Sequence, residues 1–254
     1  MNRFRLIHFL IYAVFLSPAI GQESTYPNIR YSEEFERSTL NLWLPDSEEP
    51  TPLVVYFHGG GLRGGDKGRI QFKEDFLALP ERGVAFASVG YPLMGDLKER
   101  KGLSEMDKRL LIYDQTFQAI EFLKKYAADY NLDAERIALS GSSAGTGISN
   151  YLTYVKKAGI TACIGIQQAR GASHYTQYIE KDSPTLILYT SSGPEDKVHS
   201  PSNARLLKDH CDRVDSPCFI FGSPKSGLPA VPDGKRFVSH AVSLIDSIWS
   251  SKQE

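Results

Sequence analysis

Ile137-Ala138-Leu139-Ser140-Gly141-Ser142-Ser143-Ala144-Gly145 carries an apolar run straight into a Gly-x-Ser-x-Gly turn. The run reads as a buried strand and the turn as its passage into a helix. A strand that bends this sharply leaves its middle side chain on a strained corner. It also needs glycines where the two backbones approach each other. Ser143 sits at the middle position and is the candidate nucleophile, while Ser142 is expected to point away. The Ala144 amide then lies at a helix N-terminus, where unsatisfied N–H groups and the helix dipole favour an anion.

A second motif supplies what the first lacks. Leu53-Val54-Val55-Tyr56-Phe57 is another continuous apolar run, and His58-Gly59-Gly60-Gly61 follows it. Its glycines let a loop pass close to a substrate. The amides of Gly60 and Gly61 can then aim at the same oxygen as that of Ala144. Losing one such donor typically costs about 3 kcal/mol of transition-state stabilisation. A lone Gly-x-Ser-x-Gly is a weak signal, since it also fits a strand-to-helix turn without chemistry. Two such motifs, each behind a strand, make a much stronger one.

The rest of the chain alternates in the same way. Strand patterns at 40–44, 53–57, 84–89, 137–139, 160–166, 185–189 and 218–221 are separated by helical stretches. Those stretches lie at 71–79, around 203–210 and at 237–249, with a long amphipathic one carrying Tyr113, Phe117, Ile120, Leu123 and Ala127 at helical spacing. Residues 22–38 read as a polar lead-in. Strands alternating with helices predict an α/β fold, a doubly wound and mostly parallel sheet with helices on both faces.

Composition bounds the function classes. The chain has 254 residues, 41% hydrophobic and 23% charged, which suits one α/β domain over 22–254. A formal net charge of −1 gives no electrostatic case for nucleic acid or an anionic membrane surface. No His, Cys, Asp or Glu cluster has metal-ligand spacing, and no phosphate-binding loop motif occurs. Residues 1–21 read as a signal peptide. Arg3 and Arg5 precede an apolar stretch over 6–16, then Ser17-Pro18-Ala19-Ile20-Gly21 leads to a cut before Gln22. The mature protein is therefore expected to be secreted or periplasmic, without stable membrane association. Of three cysteines, Cys163 reads as a core residue. Cys211 and Cys218 could form a disulfide or remain two thiols.

Several motifs in order resemble the esterase/lipase part of the α/β-hydrolase superfamily, near the HGGG carboxylesterases and feruloyl-esterase-like enzymes. After His58-Gly59-Gly60-Gly61 come Gly65-Asp66-Lys67 and Ser88-Val89-Gly90-Tyr91. Asp114 with Ala119 on the long helix, and residues 133–136 before the elbow, complete the match. The resemblance implies ester hydrolysis without metal or organic cofactor, and a triad in the chain order Ser, acid, His.

The acid belongs after the strand at 185–189, where Gly193-Pro194-Glu195-Asp196 lies. Asp196 is the first choice and Glu195 the alternative. The histidine is harder to place. In the resembling families it follows the last strand directly, but residues 222–229 contain none. His240, at the start of the closing helix, is the expected base. His199 is the alternative and would put acid and base on one loop. A chain lacking a base would instead be a binding module, and a peptidase or amidase shares the same fold. Residues 167–184 leave little chain for a lid, which favours short or aryl acyl groups on a small-molecule or polysaccharide-linked ester.

Overall fold

Five consecutive residues of the run before the glycine loop, Leu53, Val54, Val55, Tyr56 and Phe57, are wholly buried. Side chains alternate across a strand, so Leu53, Val55 and Phe57 enter one core and Val54 and Tyr56 another. That two-sided burial makes the run the centre of the sheet. The computed structural model describes residues 23–251, so the signal-peptide reading of residues 1–21 lies outside the described residues.

The strands are β1 (Tyr26–Arg30), β2 (Thr39–Trp43), β3 (Thr51–Phe57), β4 (Ala85–Val89), β5 (Leu132–Ser142), β6 (Ala162–Ile166), β7 (Thr185–Thr190) and β8 (Cys218–Gly222). They form one sheet in the order β1-β2-β4-β3-β5-β6-β7-β8. β1 and β2 run antiparallel at one edge, and β4 to β8 pair in parallel with β3 and with one another. The helices are α1 (Lys73–Leu77), α2 (Glu105–Lys125), α3 (Ala144–Asn150), α4 (Ser173–Thr176), α5 (Pro201–Arg213) and α6 (Phe237–Ser251). Among the described residues no helix is long and apolar enough to cross a membrane.

The layers follow from which face each helix buries. Ile112, Ala119, Ile120 and Leu123 of α2 join the core with Leu53, Val55 and Phe57. Ala241, Val242 and Ile245 of α6, with Phe76 of α1, pack on the opposite face against Val54 and Tyr56. The expected doubly covered, mostly parallel sheet is thus observed. α2 starts where Ser104 and Asp107 satisfy each other's amides at 3.1 and 2.9 Å, a reciprocal cap. α3 runs on into a π-helical turn, Tyr151–Val155.

One expectation needs correction. Residues 22–38 contain β1, which pairs with β2 through Tyr26 opposite Leu42. As an edge strand it is mostly exposed, so no apolar alternation marks it. Of the two alternatives open for Cys211 and Cys218, the structure has the thiols: all three cysteines are buried and free. Cys211 and Cys218 are hydrogen-bonded to each other, across the turn from α5 to β8.

The elbow depends on two glycines. A Cβ on Gly145 would lie 2.0 Å from the Phe57 carbonyl oxygen, and one on Gly141 would lie 2.1 Å from that of Gly145. Both obstacles are backbone and cannot rotate away. Gly145→Ala is expected to destabilise by about 1–3 kcal/mol and lower the melting temperature by several degrees. Gly95→Ala, where an added Cβ meets nothing, should melt close to the unaltered chain. Circular dichroism melts of the two variants check this, and equal melting temperatures would contradict it.

Candidate active site

Ser143 sits in the corner between β5 and α3 with φ 52° and ψ −113°, outside the favoured backbone regions. Three contacts hold it there. Its amide donates to the Ile166 carbonyl of β6 at 3.0 Å. Its carbonyl accepts from the Thr146 amide at 2.9 Å and from the Thr146 hydroxyl at 2.6 Å. The side chain is thereby pushed out of the sheet top. Ser142 turns the other way, as expected, and its hydroxyl donates to Gln71 Oε1.

The partner of Ser143 is His199. Ser143 Oγ and His199 Nε2 are 2.8 Å apart, and His199 Nδ1 lies 3.3 Å from Asp196 Oδ2. The carboxylate favours a proton on Nδ1, which leaves Nε2 as the acceptor facing the serine hydroxyl. Asp196 is fixed in turn. Its Oδ1 accepts from the amides of His199 and Val198 at 2.9 and 2.8 Å. Its Oδ2 accepts from the Ser192 hydroxyl at 2.8 Å. Those donors, the two amides foremost, hold its carboxyl well below the usual carboxylate range. It therefore stays ionised at any pH near neutrality.

The expected base, His240, is not at this site. It lies near the start of α6 with its ring edge-on to Phe221 at 5.1 Å and its amide bonded to the Arg236 carbonyl at 3.0 Å. α6 must bury Phe237, Val238, Ala241 and Val242 against the sheet face shared with α1. That packing fixes the turn of the helix and takes His240 to Phe221. Glu195 is also elsewhere, paired with Lys225 at 2.8 Å. The triad order expected from the resemblance still holds along the chain, but acid and base share the loop after β7. A signal for this was present in the sequence. An Asp that caps the amides two and three residues on (an Asx-type turn) brings the side chain at that third position back beside it. Gln71 carried no such signal, because it reaches Ser142 from 71 residues away through the fold, and Ser192, four residues before Asp196, is a local donor that the sequence reading passed over.

The glycine loop lies over the serine. Gly59 is close enough that a Cβ there would sit 3.2 Å from Ser143 Cβ. The amides of Gly60 and Gly61 donate to no described residue, and the Ala144 amide heads α3, where no intrahelical acceptor exists. His58 braces this loop. Burial pushes its pKa down, so it is neutral. Its Nδ1 lies 2.8 Å from the Gly59 carbonyl and so carries the proton. Tyr91 stacks on the ring at 4.1 Å and donates its hydroxyl to the His58 carbonyl at 2.6 Å. Lys67 does not pair with Asp66; it donates to Thr39 Oγ1 at 2.8 Å, while Asp66 accepts the Gly68 amide at 2.6 Å. Asp114 anchors the long helix through Lys156 at 2.8 Å.

Two cavities meet at Ser143. One, of about 500 Å³, holds His199, the glycine loop, Gln71 and Gln167. The other, of about 590 Å³, is walled by Tyr113, Tyr151, Tyr175 and Tyr178. Among the described residues no group of His, Cys, Asp and Glu is arranged to hold a metal ion.

Comparison with known proteins agrees with this architecture. Residues 40–210 match the BD-FAE family. Gut esterase 1 of Caenorhabditis elegans is 31% identical over 117 residues, 45% of this chain and 20% of that protein. The matched part thus spans about a fifth of the curated relatives' length. A thermophilic esterase of the planctomycete Thermogutta terrifontis, solved with propionate bound, superposes with a TM-score of 0.65 at 17% identity, covering 87% of this chain and 92% of that one. A truncated carbohydrate esterase from gut microbiota superposes with a TM-score of 0.68 at 14% identity, covering 91% and 98%. At such identities the likeness is one of fold. The family match over most of the chain carries further: this protein belongs to the BD-FAE family, within the esterases of the α/β-hydrolase superfamily.

Proposed function

We propose that the protein hydrolyses carboxylic esters through an acyl-enzyme on Ser143, with His199 as base and Asp196 orienting it. The observation that carries this reading is the 2.8 Å contact between Ser143 Oγ and His199 Nε2. A serine hydroxyl is a poor nucleophile alone and needs such a neighbour. In the first step Oγ attacks the ester carbonyl carbon and its proton passes to Nε2. The carbonyl oxygen becomes an oxyanion, held by the amides of Gly60, Gly61 and Ala144. The C–O bond to the alcohol then breaks, and Nε2 returns the proton to the departing alkoxide. Water repeats the sequence on the acyl-enzyme, which frees the acid and restores Ser143. Asp196 stays ionised throughout and stabilises the imidazolium. The same contact argues against a binding module that lacks a base.

The substrate reading rests on the cavities and on the relatives. The tyrosine-walled cavity suits short or aryl acyl groups. The gut carbohydrate esterase and the propionate-bound esterase act as precedents for sugar-linked and short-chain esters. The leader over residues 1–21 supports export, and a secreted or periplasmic esterase would meet polysaccharide-linked esters there.

Intact mass after treatment with a fluorophosphonate, followed by peptide mapping, tests the core of this reading. Labelling should be confined to Ser143, absent in Ser143→Ala and largely kept in Ser142→Ala. A well-folded sample that takes up no label would return the binding-module reading. His199→Ala should lower kcat on an aryl ester by a factor on the order of 10³ or more, whereas His240→Ala should change it only a few-fold. The reverse ranking would reassign the base. Asp196→Asn should cost up to about 10⁴ in kcat by favouring the wrong imidazole tautomer, and Glu195→Gln should cost little.

A further inference from the structure

The charges around Ser143 are one-sided. Arg109 of α2 and Arg170 line the larger cavity, and Arg69 lines the smaller one. Among the described residues no aspartate or glutamate lines either. The chain as a whole is balanced, with 29 Lys and Arg against 30 Asp and Glu, so the imbalance is local. Several arginines elsewhere have found carboxylates, among them Arg37 with Asp96 at 3.2 Å, Arg63 with Glu105 at 2.8 Å, Arg100 with Glu34 at 2.7 Å and Arg136 with Asp133 at 2.6 Å. Among the described residues, the guanidinium groups of Arg109, Arg170 and Arg69 have no ion pair or hydrogen bond. The one acid of the site, Asp196, spends its oxygens on Ser192, Val198 and His199. A cleft walled by protein and lined by one sign of charge focuses its field on whatever enters. A planar guanidinium is moreover the group best shaped to grip a carboxylate with two hydrogen bonds.

The two cavities divide the ester. The leaving alcohol must take its proton from His199, which lines the smaller cavity. The larger cavity, with two unpaired arginines against one in the smaller and with the tyrosine wall, is therefore left to the acyl group. We propose that the acyl group this site selects carries a carboxylate of its own, bound by Arg109 and Arg170, with the tyrosine faces packing the carbon frame between that carboxylate and the ester. This rests on the esterase reading above and adds the charge of the substrate to it.

Two 4-methylumbelliferyl esters, of 4-carboxybenzoic acid and of 4-methylbenzoic acid, share a ring and a reacting carbonyl and differ in one charged group. The carboxylated ester is expected to show at least about a tenfold higher kcat/KM, the scale of one charged hydrogen bond. Added salt should shrink that ratio by screening. In the Arg109→Ala, Arg170→Ala double variant the ratio should fall to about one. Because it is a ratio, a loss of folded enzyme does not move it. A wild-type ratio of one or below, or a ratio unchanged in the double variant, overturns the proposal. Fluorophosphonate labelling run beside it separates the two levels. A labelled Ser143 without preference for the carboxylated ester removes the anion pocket and leaves the esterase standing. No labelling and no turnover of either ester removes both.

Discussion

Three backbone segments meet at the top of the sheet, and the meeting is possible only because no side chain stands between them. The end of β3, the end of β5 and the first turn of α3 lie so close at Gly141 and Gly145 that an added Cβ would come within 2.0–2.1 Å of a backbone oxygen. The serine and the glycine loop inherit their positions from this contact. Ser143 is forced into a left-handed corner and so projects away from the sheet. α3 begins directly behind it, which puts the Ala144 amide under the same space. The glycine loop leaves β3 at the same level and folds over the serine, with His58 and Tyr91 fixing its carbonyls from behind. Burying five residues of β3 on two faces is what keeps this corner from relaxing.

The polar half of the site is built differently. It owes little to the sheet beyond the place where β7 ends. Asp196 gathers its donors from its own loop and from Ser192, so that segment is a small self-bonded unit. α5 starts immediately after it, with Ser200 as its cap and Pro201 at its first position. The loop is thus held between a buried strand and a helix whose Ala204, Leu207 and Cys211 are packed in the core.

This division explains what the sequence disclosed and what it withheld. The elbow and the glycine loop were legible because their chemistry forces residue types: glycine where backbones touch and serine at the corner. The alternation of strands β2 to β8 was legible because the central ones, covered on both faces, must be apolar and the edge strand β8 is still an apolar run. β1 was not, since an edge strand with one wet face has no such signature. The acid at Asp196 could be placed from its loop alone. The histidine was divided between His199 and His240: an Asx-type turn at Asp196 is a local pointer to His199, whereas the packing of α6 that removes His240 is not a local property of sequence. The family habit of placing the histidine after the last strand pointed to the wrong one.

Asp196 and His199 lie three residues apart on one hydrogen-bonded loop, so they form a single rigid piece. Where acid and base sit on separate loops, either can drift while the other holds. Here the two move together or stay together. A disturbance reaching the end of β7 or the cap of α5 would move the proposed base and the carboxylate beside it in one motion. The last strand and closing helix, by contrast, place no side chain within hydrogen-bond reach of Ser143, Asp196 or His199 among the described residues.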